Sequence, residues 1–473
     1  MKKKIVWILL FVVVASSGIY GFMTYENYDL SNAVFFTLSM FLYNYDGYTT
    51  NIFLDIARFG ALLLTATAII SIFEKIAFKI RDFIVSYTTN STFVYGDNEL
   101  AKEFINSSKY KIINREYFSD AKRYVLLKSD EENLEFYNNN IENLKDKEVF
   151  IKNSVLANTI QGKHKFFSLE QIAARKFWKE NSLIDLAFVN GKTKKELKII
   201  FAGFNTLAEY VLYEAIIINI FDPKQIVSYH IFGDNKEFEQ SHINSDILNI
   251  HYHKESFLEN KDLLNESDVI LFFDSNEKLN KLLGCIKKGN LVYFTKDYIN
   301  KDLYLNHKYG NNKNITLTTF NYYQNICTEN EVVNEASLHD AKQLNANYNL
   351  KQNLNEGLTI DEQWSKLSTF HKTINIACVD YFKFTIKRLL EKNLNKKYED
   401  ITDQEFNTQL DLLSELEHIR WSNYHYFCNW TFDKTTNKND KKHNCLVPYA
   451  DLNKEEKDKD TEQILKIRSL YNI

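Results

Sequence analysis

The chain has 473 residues, of which 45% are hydrophobic and 25% charged, and a formal net charge of −4. That length accommodates roughly three or four domains. The near-neutral charge, without a basic block interleaved with aromatics, argues against a nucleic-acid partner. The five cysteines (Cys285, Cys327, Cys378, Cys428 and Cys445) are odd in number and contain no C-x-x-C pair. They indicate neither a zinc site nor a disulfide framework, and read as thiols of a reducing cytoplasm.

Behind Lys2, Lys3 and Lys4, residues 5–23 form a nearly continuous apolar run, close to the roughly 20 residues that cross hydrocarbon. A secretory signal peptide has the same basic start, but the length of the run and a second apolar segment at 52–73 favour a retained anchor. Lys2–Lys4 precede the first segment and Lys75, Lys79 and Arg81 follow the second. The loop between carries Glu26, Asp29 and Asp46 and no Lys or Arg. The positive-inside rule therefore places both termini in the cytoplasm, at a bacterial inner membrane. Residues 33–42 form an apolar run too short to span. Asp55 and Arg58, three apart, are placed to pair on one helix face.

A span, a short re-entrant helix and a second span resemble the pore module of two-span potassium channels. The resemblance makes Thr37, Ser39, Tyr43, Asn44, Tyr45 and Asp46 candidate pore-lining residues. Those channels carry T-V-G-Y-G after the pore helix, whereas here Phe41 to Asp46 contain no glycine, so potassium selectivity is not implied. The alternative is a hairpin anchor with an apolar external loop.

The next part of the chain repeats itself. Phe93-Val94-Tyr95-Gly96-Asp97-Asn98-Glu99-Leu100-Ala101 is echoed by Ile200-Phe201-Ala202-Gly203-Phe204-Asn205-Thr206-Leu207-Ala208. Each copy reads as strand, glycine turn and helix start, the opening of a doubly wound parallel sheet. Further strands are expected at 111–114, 124–127 and 149–151, and at 226–232, 247–252, 269–273 and 291–294. Two such modules behind a two-span segment resemble tandem RCK domains, relatives of TrkA-type NAD-binding domains. Gly96 and Gly203 occupy the first glycine position of the fingerprint, and Glu116 and Asp234 the ribose-holding carboxylate. Asn98 and Asn205 replace the glycine that lets backbone approach a pyrophosphate, so these folds are expected to have lost NAD and kept an assembly role.

Residues 330–360 are polar and Asn-rich and read as a linker or exposed helices, and from Gln363 a helical apolar period begins. The most specific pattern follows: Glu417-His418-Ile419-Arg420-Trp421, then Asn429-Trp430, a polar turn at 434–442, His443-Asn444-Cys445-Leu446-Val447-Pro448-Tyr449, and Glu456-Lys457 with Asp460. This order (E-H-x-x-W, a second W, [HP]-x-L-V-P-[WY], E-K-x-x-D) resembles the ryanodine-receptor repeat, or RyR, domain. Asn429 stands where glycine usually precedes the tryptophan, Asn444 replaces proline and Tyr449 replaces tryptophan. The resemblance implies a small helical domain binding an adenine-type nucleotide or a nucleotide-derived messenger. Trp421, Trp430 and Tyr449 can stack on a base, and His418, Arg420, Lys442 and His443 can hold phosphate. Glu417 belongs to the same motif, and Leu446, Val447 and Pro448 shape a wall. A core role is the ordinary alternative for the tryptophans, and a buried structural one for His418.

No G-x-S-x-G, Walker, H-E-x-x-H or C-x-x-C pattern is present, so no enzyme is expected. The expected fold is α/β with membrane helices: a two-span module (1–85), two Rossmann-like RCK domains (86–190 and 191–325), a linker (326–360) and a mainly helical RyR-like domain (361–473). The expected function is a nucleotide-gated channel or channel-like effector, and the RyR resemblance on a membrane protein implies a role in antiphage defence. It would act as a homo-oligomer, a tetramer by default, because two spans cannot enclose a pore alone. The rivals are a membrane-tethered nucleotide sensor that conducts nothing and an NAD-linked oxidoreductase.

Overall fold

The computed structural model describes residues 2–44, 51–86, 91–189, 191–296 and 314–471. The chain forms two compact units, one of residues 1–91 with 119–121, the other of residues 92–118 with 122–473.

The first unit holds helices α1 (Lys2–Tyr25), α2 (Leu30–Met40) and α3 (Ile52–Ser86). Trp7–Tyr25 and Ile52–Phe73 are long and apolar enough to cross a membrane. The first lies near the N-terminus, where a signal sequence has the same character. Asp29 caps α2 by accepting from the Asn32 amide, the stabilising choice at a helix start. Close helix approach is set by small residues. A Cβ on Gly60 would lie 2.4 Å from Val14 Cγ2, and one on Gly18 would lie 2.6 Å from Thr37 Cγ2.

Thr37 and Ser39 are buried. Their hydroxyls donate back along α2, Thr37 to the Ala33 carbonyl at 2.7 Å and Ser39 to the Phe35 carbonyl at 2.9 Å. Within one copy, therefore, these two hydroxyls are internal groups of the unit. Tyr43 and Asn44 are exposed at the end of α2, while Tyr45 and Asp46 lie outside the described residues. Arg58 and Asp55 stand 3.7 Å apart, the pairing their spacing suggested.

The second unit is mixed α/β with parallel sheets and a helical C-terminal region. Its first sheet contains β1 (Ser91–Tyr95), β2 (Lys111–Asn114), β3 (Arg123–Leu126), β4 (Glu148–Lys152), β5 (Ile160–Gln161) and β6 (His164–Phe167). Their order is β2-β1-β3-β4-β6-β5, with β5 antiparallel to β6. After a short hairpin (β7, Phe188–Val189; β8, Lys192–Thr193), the second sheet is built from β9 (Glu196–Ala202), β10 (Ile226–Phe232), β11 (Ile250–His253), β12 (Val269–Phe272), β13 (Gly289–Thr295) and β14 (Ile315–Asn321). Its order is β11-β10-β9-β12-β13-β14, parallel at every pairing. The asparagines at the fingerprint positions are helix caps: Asn98 accepts from the Ala101 amide and Asn205 from the Ala208 amide. Sequence reading missed β5, β6, the β7–β8 hairpin and β14.

One apolar core runs through both sheets and the C-terminal helices, from Val94 to Ile467. Its centre is the helix Thr206–Ile218, whose residues 211–218 are all buried. The 326–360 segment is not a free linker. It contains helices Glu329–Val332 and His339–Lys351, and it docks on the first sheet's layer, where the Glu329 carboxylate accepts from the Lys109 amide at 2.8 Å. Within it Lys342 is buried and paired with Glu335 at 2.7 Å.

A buried polar cluster ties the layers together. Arg175, on the helix Leu169–Glu180, donates to Asp380 Oδ1 at 2.9 Å and to the Ser337 carbonyl at 2.8 Å. Beside them Glu214 is fully buried, and neither of its carboxyl oxygens has a hydrogen-bond partner among the described residues. Burial, reinforced by Asp380 and opposed by Arg175, pushes its pKa up to about 8, so the native state keeps it protonated at neutral pH. Between the ordinary glutamate range and pH 8 the folded chain holds a proton that the unfolded chain has lost. Stability therefore falls as pH rises, by about 1.4 kcal/mol per pH unit from this group. Glu214→Gln should flatten that slope and stabilise the protein at pH 8, as read by denaturant melts between pH 5 and 8. An unchanged slope contradicts the assignment.

Candidate ligand-binding site

The helix Leu410–Phe427 carries the E-H-x-x-W motif and presents two different faces. Leu413, Leu416, Glu417, Arg420 and Tyr424 face inward, all buried. Glu417 and Arg420, three apart, form a bidentate pair (Nε–Oε2 2.8 Å, Nη2–Oε1 2.7 Å) at 2% and 1% exposure. Cys378 donates its thiol to the same carboxylate at 3.3 Å. This charge pair is interior structure, and neither residue reaches a ligand-accessible surface. Both were expected to serve the ligand, but a buried charge needs an adjacent counter-charge, and each supplies the other's.

The adjacent face carries His418, Trp421 and His425. Both ring nitrogens of His418 face acceptors, Nε2 the Val447 carbonyl at 2.9 Å and Nδ1 the Asp460 carboxylate at 3.2 Å. Burial opposes its charge, but these two bonds outweigh it and the His418 pKa is raised. Trp421 is half-buried, with its ring 4.0 Å from that of His425 and 4.8 Å from that of His443. His443 Nδ1 accepts from the Cys445 amide at 3.1 Å. Burial lowers the pKa of His443, so its neutral ring carries the proton on Nε2.

The helix stops where Asn429 takes a left-handed backbone (φ 63°), the conformation that explains glycine at this motif position. Asparagine is the side chain best able to replace glycine there. It also adds two bonds, donating to the Ser241 carbonyl at 2.6 Å and accepting from the Ile243 amide at 3.0 Å. The chain returns through the paired strands β15 (Thr431–Phe432) and β16 (Lys442–His443), then Cys445 to Pro448, and ends in the helix Lys454–Ser469.

Between these pieces lies a cleft of about 410 Å³, within the range of small-molecule sites. Trp421, His418 and His443 form one wall. Thr436, Asn444, Cys445, Leu452, Glu456, Lys459 and Asp460 complete the lining, with Asp460 beside His418. Of the residues expected from sequence, the cleft gathers His418, Trp421 and His443. Trp430 is buried behind them, with its ring 5.6 Å from that of Phe370. Lys442 pairs with Asp433 at 2.9 Å. Leu446 is buried, Pro448 is exposed, and the Tyr449 ring lies 5.8 Å from that of His418, with the Lys457 ammonium 5.2 Å above its centroid.

Sequence reasoning missed Thr436, Asn444, Cys445, Leu452, Glu456, Lys459 and Asp460 as lining residues. The signal for two of them was the E-K-x-x-D motif, whose four-residue spacing puts Glu456 and Asp460 on one helix face.

The glycine turns of the two sheets are braced, the first by side chains and the second by the Gly203 amide donating to the Phe232 carbonyl at 3.0 Å. Asn114 donates to the Gly96 carbonyl at 2.7 Å, and Glu116 is paired with Lys128 at 2.7 Å. A Cβ on Gly203 would lie 3.1 Å from the Phe273 carbonyl carbon, so glycine there permits close packing of the ends of β9 and β12. Asp234 is exposed.

Residues 400–470 match the family model described as RyR domain. The match covers the motif helix, the cleft and the terminal helix. A search among curated proteins finds no match.

Arg420→Ala should lower stability by about 3–5 kcal/mol, because it leaves Glu417 charged and alone in the interior. Trp421→Ala, on a half-buried wall, should cost distinctly less; equal losses in denaturant melts contradict the division between interior and cleft faces. The His418 interaction stabilises most fully below the ordinary histidine value of 6.5 and is lost as pH rises through the raised midpoint. Asp460→Asn should lower that midpoint, followed by NMR of the imidazole, and an unmoved midpoint contradicts the pairing.

Proposed function

We propose that this chain is a membrane effector in which a nucleotide-type ligand, bound in the cleft beside Trp421, alters the state of the membrane unit. The observation that carries this reading is an aromatic-walled cleft within the residues that match the RyR domain, on a chain with two helices long enough to span a bilayer. Stacking on an indole contributes about 1–3 kcal/mol per base, enough to make an aromatic wall the main source of affinity.

The strand orders support a Rossmann-like, RCK-type reading of the body. Numbered within each copy, the second sheet runs 3-2-1-4-5-6 and the first, leaving out β5, runs 2-1-3-4-5, the two common doubly wound orders. With their glycine turns braced and their asparagines spent as caps, these sheets serve as a force-transmitting body rather than as dinucleotide sites. The membrane module acts as a channel-like element of a homo-oligomer, a tetramer by resemblance, in a bacterial inner membrane with both termini cytoplasmic. A ligand-triggered permeability change fits a role in antiphage defence.

A second reading, a tethered nucleotide sensor without conduction, draws on the burial of Thr37 and Ser39 within a single copy. Purified protein in liposomes separates the two. The channel reading expects ion flux that depends on added nucleotide and is lost in Trp421→Ala, with the variant still folded. Nucleotide binding without flux selects the tether, and the absence of binding across a broad nucleotide panel contradicts both.

A further inference from the structure

The cations that the sequence offered for phosphate are engaged elsewhere. Arg420 is buried against Glu417, and Lys442 is paired with Asp433. His418 directs both ring nitrogens to Val447 and Asp460. Lys459, the one lysine or arginine among the residues lining the cleft, is held by Glu456 at 2.7 Å and lies 3.8 Å from Glu455.

His443 is neutral and brings one donor, its Nε2–H, and beside it the cleft offers carboxylate acceptors. Asp460 commits Oδ2 to His418, and Glu456 commits Oε1 to Lys459 and also meets the Cys445 thiol; a carboxylate has about four lone-pair sites, so each can still accept from a ligand. Four residues apart on the helix Lys454–Ser469, the two carboxylates stand one turn from each other and line the same cleft as the Trp421 ring. A ligand that fits must bring donors to the carboxylates and a flat apolar face to the indole. A ribose with both hydroxyls, attached to a base, does this; a polyphosphate placed against two carboxylates does not. Carboxylates hold ribose hydroxyls in the same way at dinucleotide sites.

We propose that the cleft reads the ribonucleoside part of its ligand, stacking the base on Trp421 and holding the ribose 2′- and 3′-hydroxyls on Glu456 and Asp460, with the phosphates directed to solvent. This rests on the nucleotide reading above and narrows it to the part of the ligand that is recognised.

The test is calorimetric titration of the full chain in detergent. The probes are the four common ribonucleosides, their 2′-deoxy counterparts, their 5′-mono- and triphosphates, and ribose and glucose alone. The ribonucleoside that binds best should lose about tenfold or more on removal of the 2′-hydroxyl, the scale of a hydrogen bond to a charged group. Its 5′-phosphates should change affinity less than about threefold and leave it weakly dependent on salt, because few ionic contacts form. Glu456→Gln, a change on the half-exposed cleft surface, should reduce the 2′-hydroxyl preference several-fold while leaving the melting temperature unchanged.

Affinity that climbs steeply with phosphate number, or equal binding of the 2′-deoxy compounds, overturns this inference and leaves the nucleotide reading standing. Ribose or glucose binding as tightly as the nucleosides overturns the role of the base. Failure of every nucleoside and nucleotide to bind overturns both the inference and the reading beneath it.

Discussion

The second unit depends on the burial of one face of the helix Leu410–Phe427 against the helix Thr206–Ile218. Asn423 donates to the Ile216 carbonyl at 3.2 Å, and the Tyr213 ring packs against Phe427 with centroids 5.2 Å apart. Asn244 extends the contact by donating to the Tyr426 and Trp430 carbonyls, each at 2.9 Å. The Glu417–Arg420 pair and the Arg175–Asp380 pair are desolvated inside this packing. Ion pairs of that kind add little net stability, but they penalise every arrangement in which one partner is left alone. Their effect is to allow one docking of the RyR-matching region on the α/β body and disfavour others.

That constraint gives the cleft its mechanical meaning. Its aromatic wall, Trp421, and the interior pair, Glu417 and Arg420, sit within about one turn of the same helix. A ligand pressing on one face therefore acts on a helix whose other face is bonded to the second sheet's central helix. The first sheet joins the same body through Arg175 and through the docked helices of the 326–360 segment. Under the proposed reading, a binding event passes into the α/β body of the second unit through these packed helices.

The features most legible in the sequence were those with strong periodicity or punctuation. The apolar spans, the short helix behind Asp29, the paired strand–glycine–helix openings and the RyR-type motif could all be placed to within a few residues. Side-chain direction was not legible. Glu417, His418, Arg420 and Trp421 fall within about one turn, and motif order does not say which of them meets solvent and which the core. The 326–360 segment was obscured by its composition: lysines and asparagines suggest exposure, yet Lys342 and Asn345 are buried by pairing and packing. The acidic side of the cleft comes from a helix about 40 residues beyond Trp421, brought near only by tertiary folding, and its E-K-x-x-D signature was visible as a motif before it had a role.

Native-state hydrogen exchange on the full chain tests the central claim most directly, because it needs no knowledge of the ligand. If the RyR-matching region and the α/β body form one cooperative structure, amides of Leu410–Phe427 and Thr206–Ile218 should open with the same free energy, and Arg420→Ala should lower both together. Exchange of the C-terminal helices at a markedly lower free energy, with the Thr206–Ile218 helix unaffected by the substitution, would contradict the account.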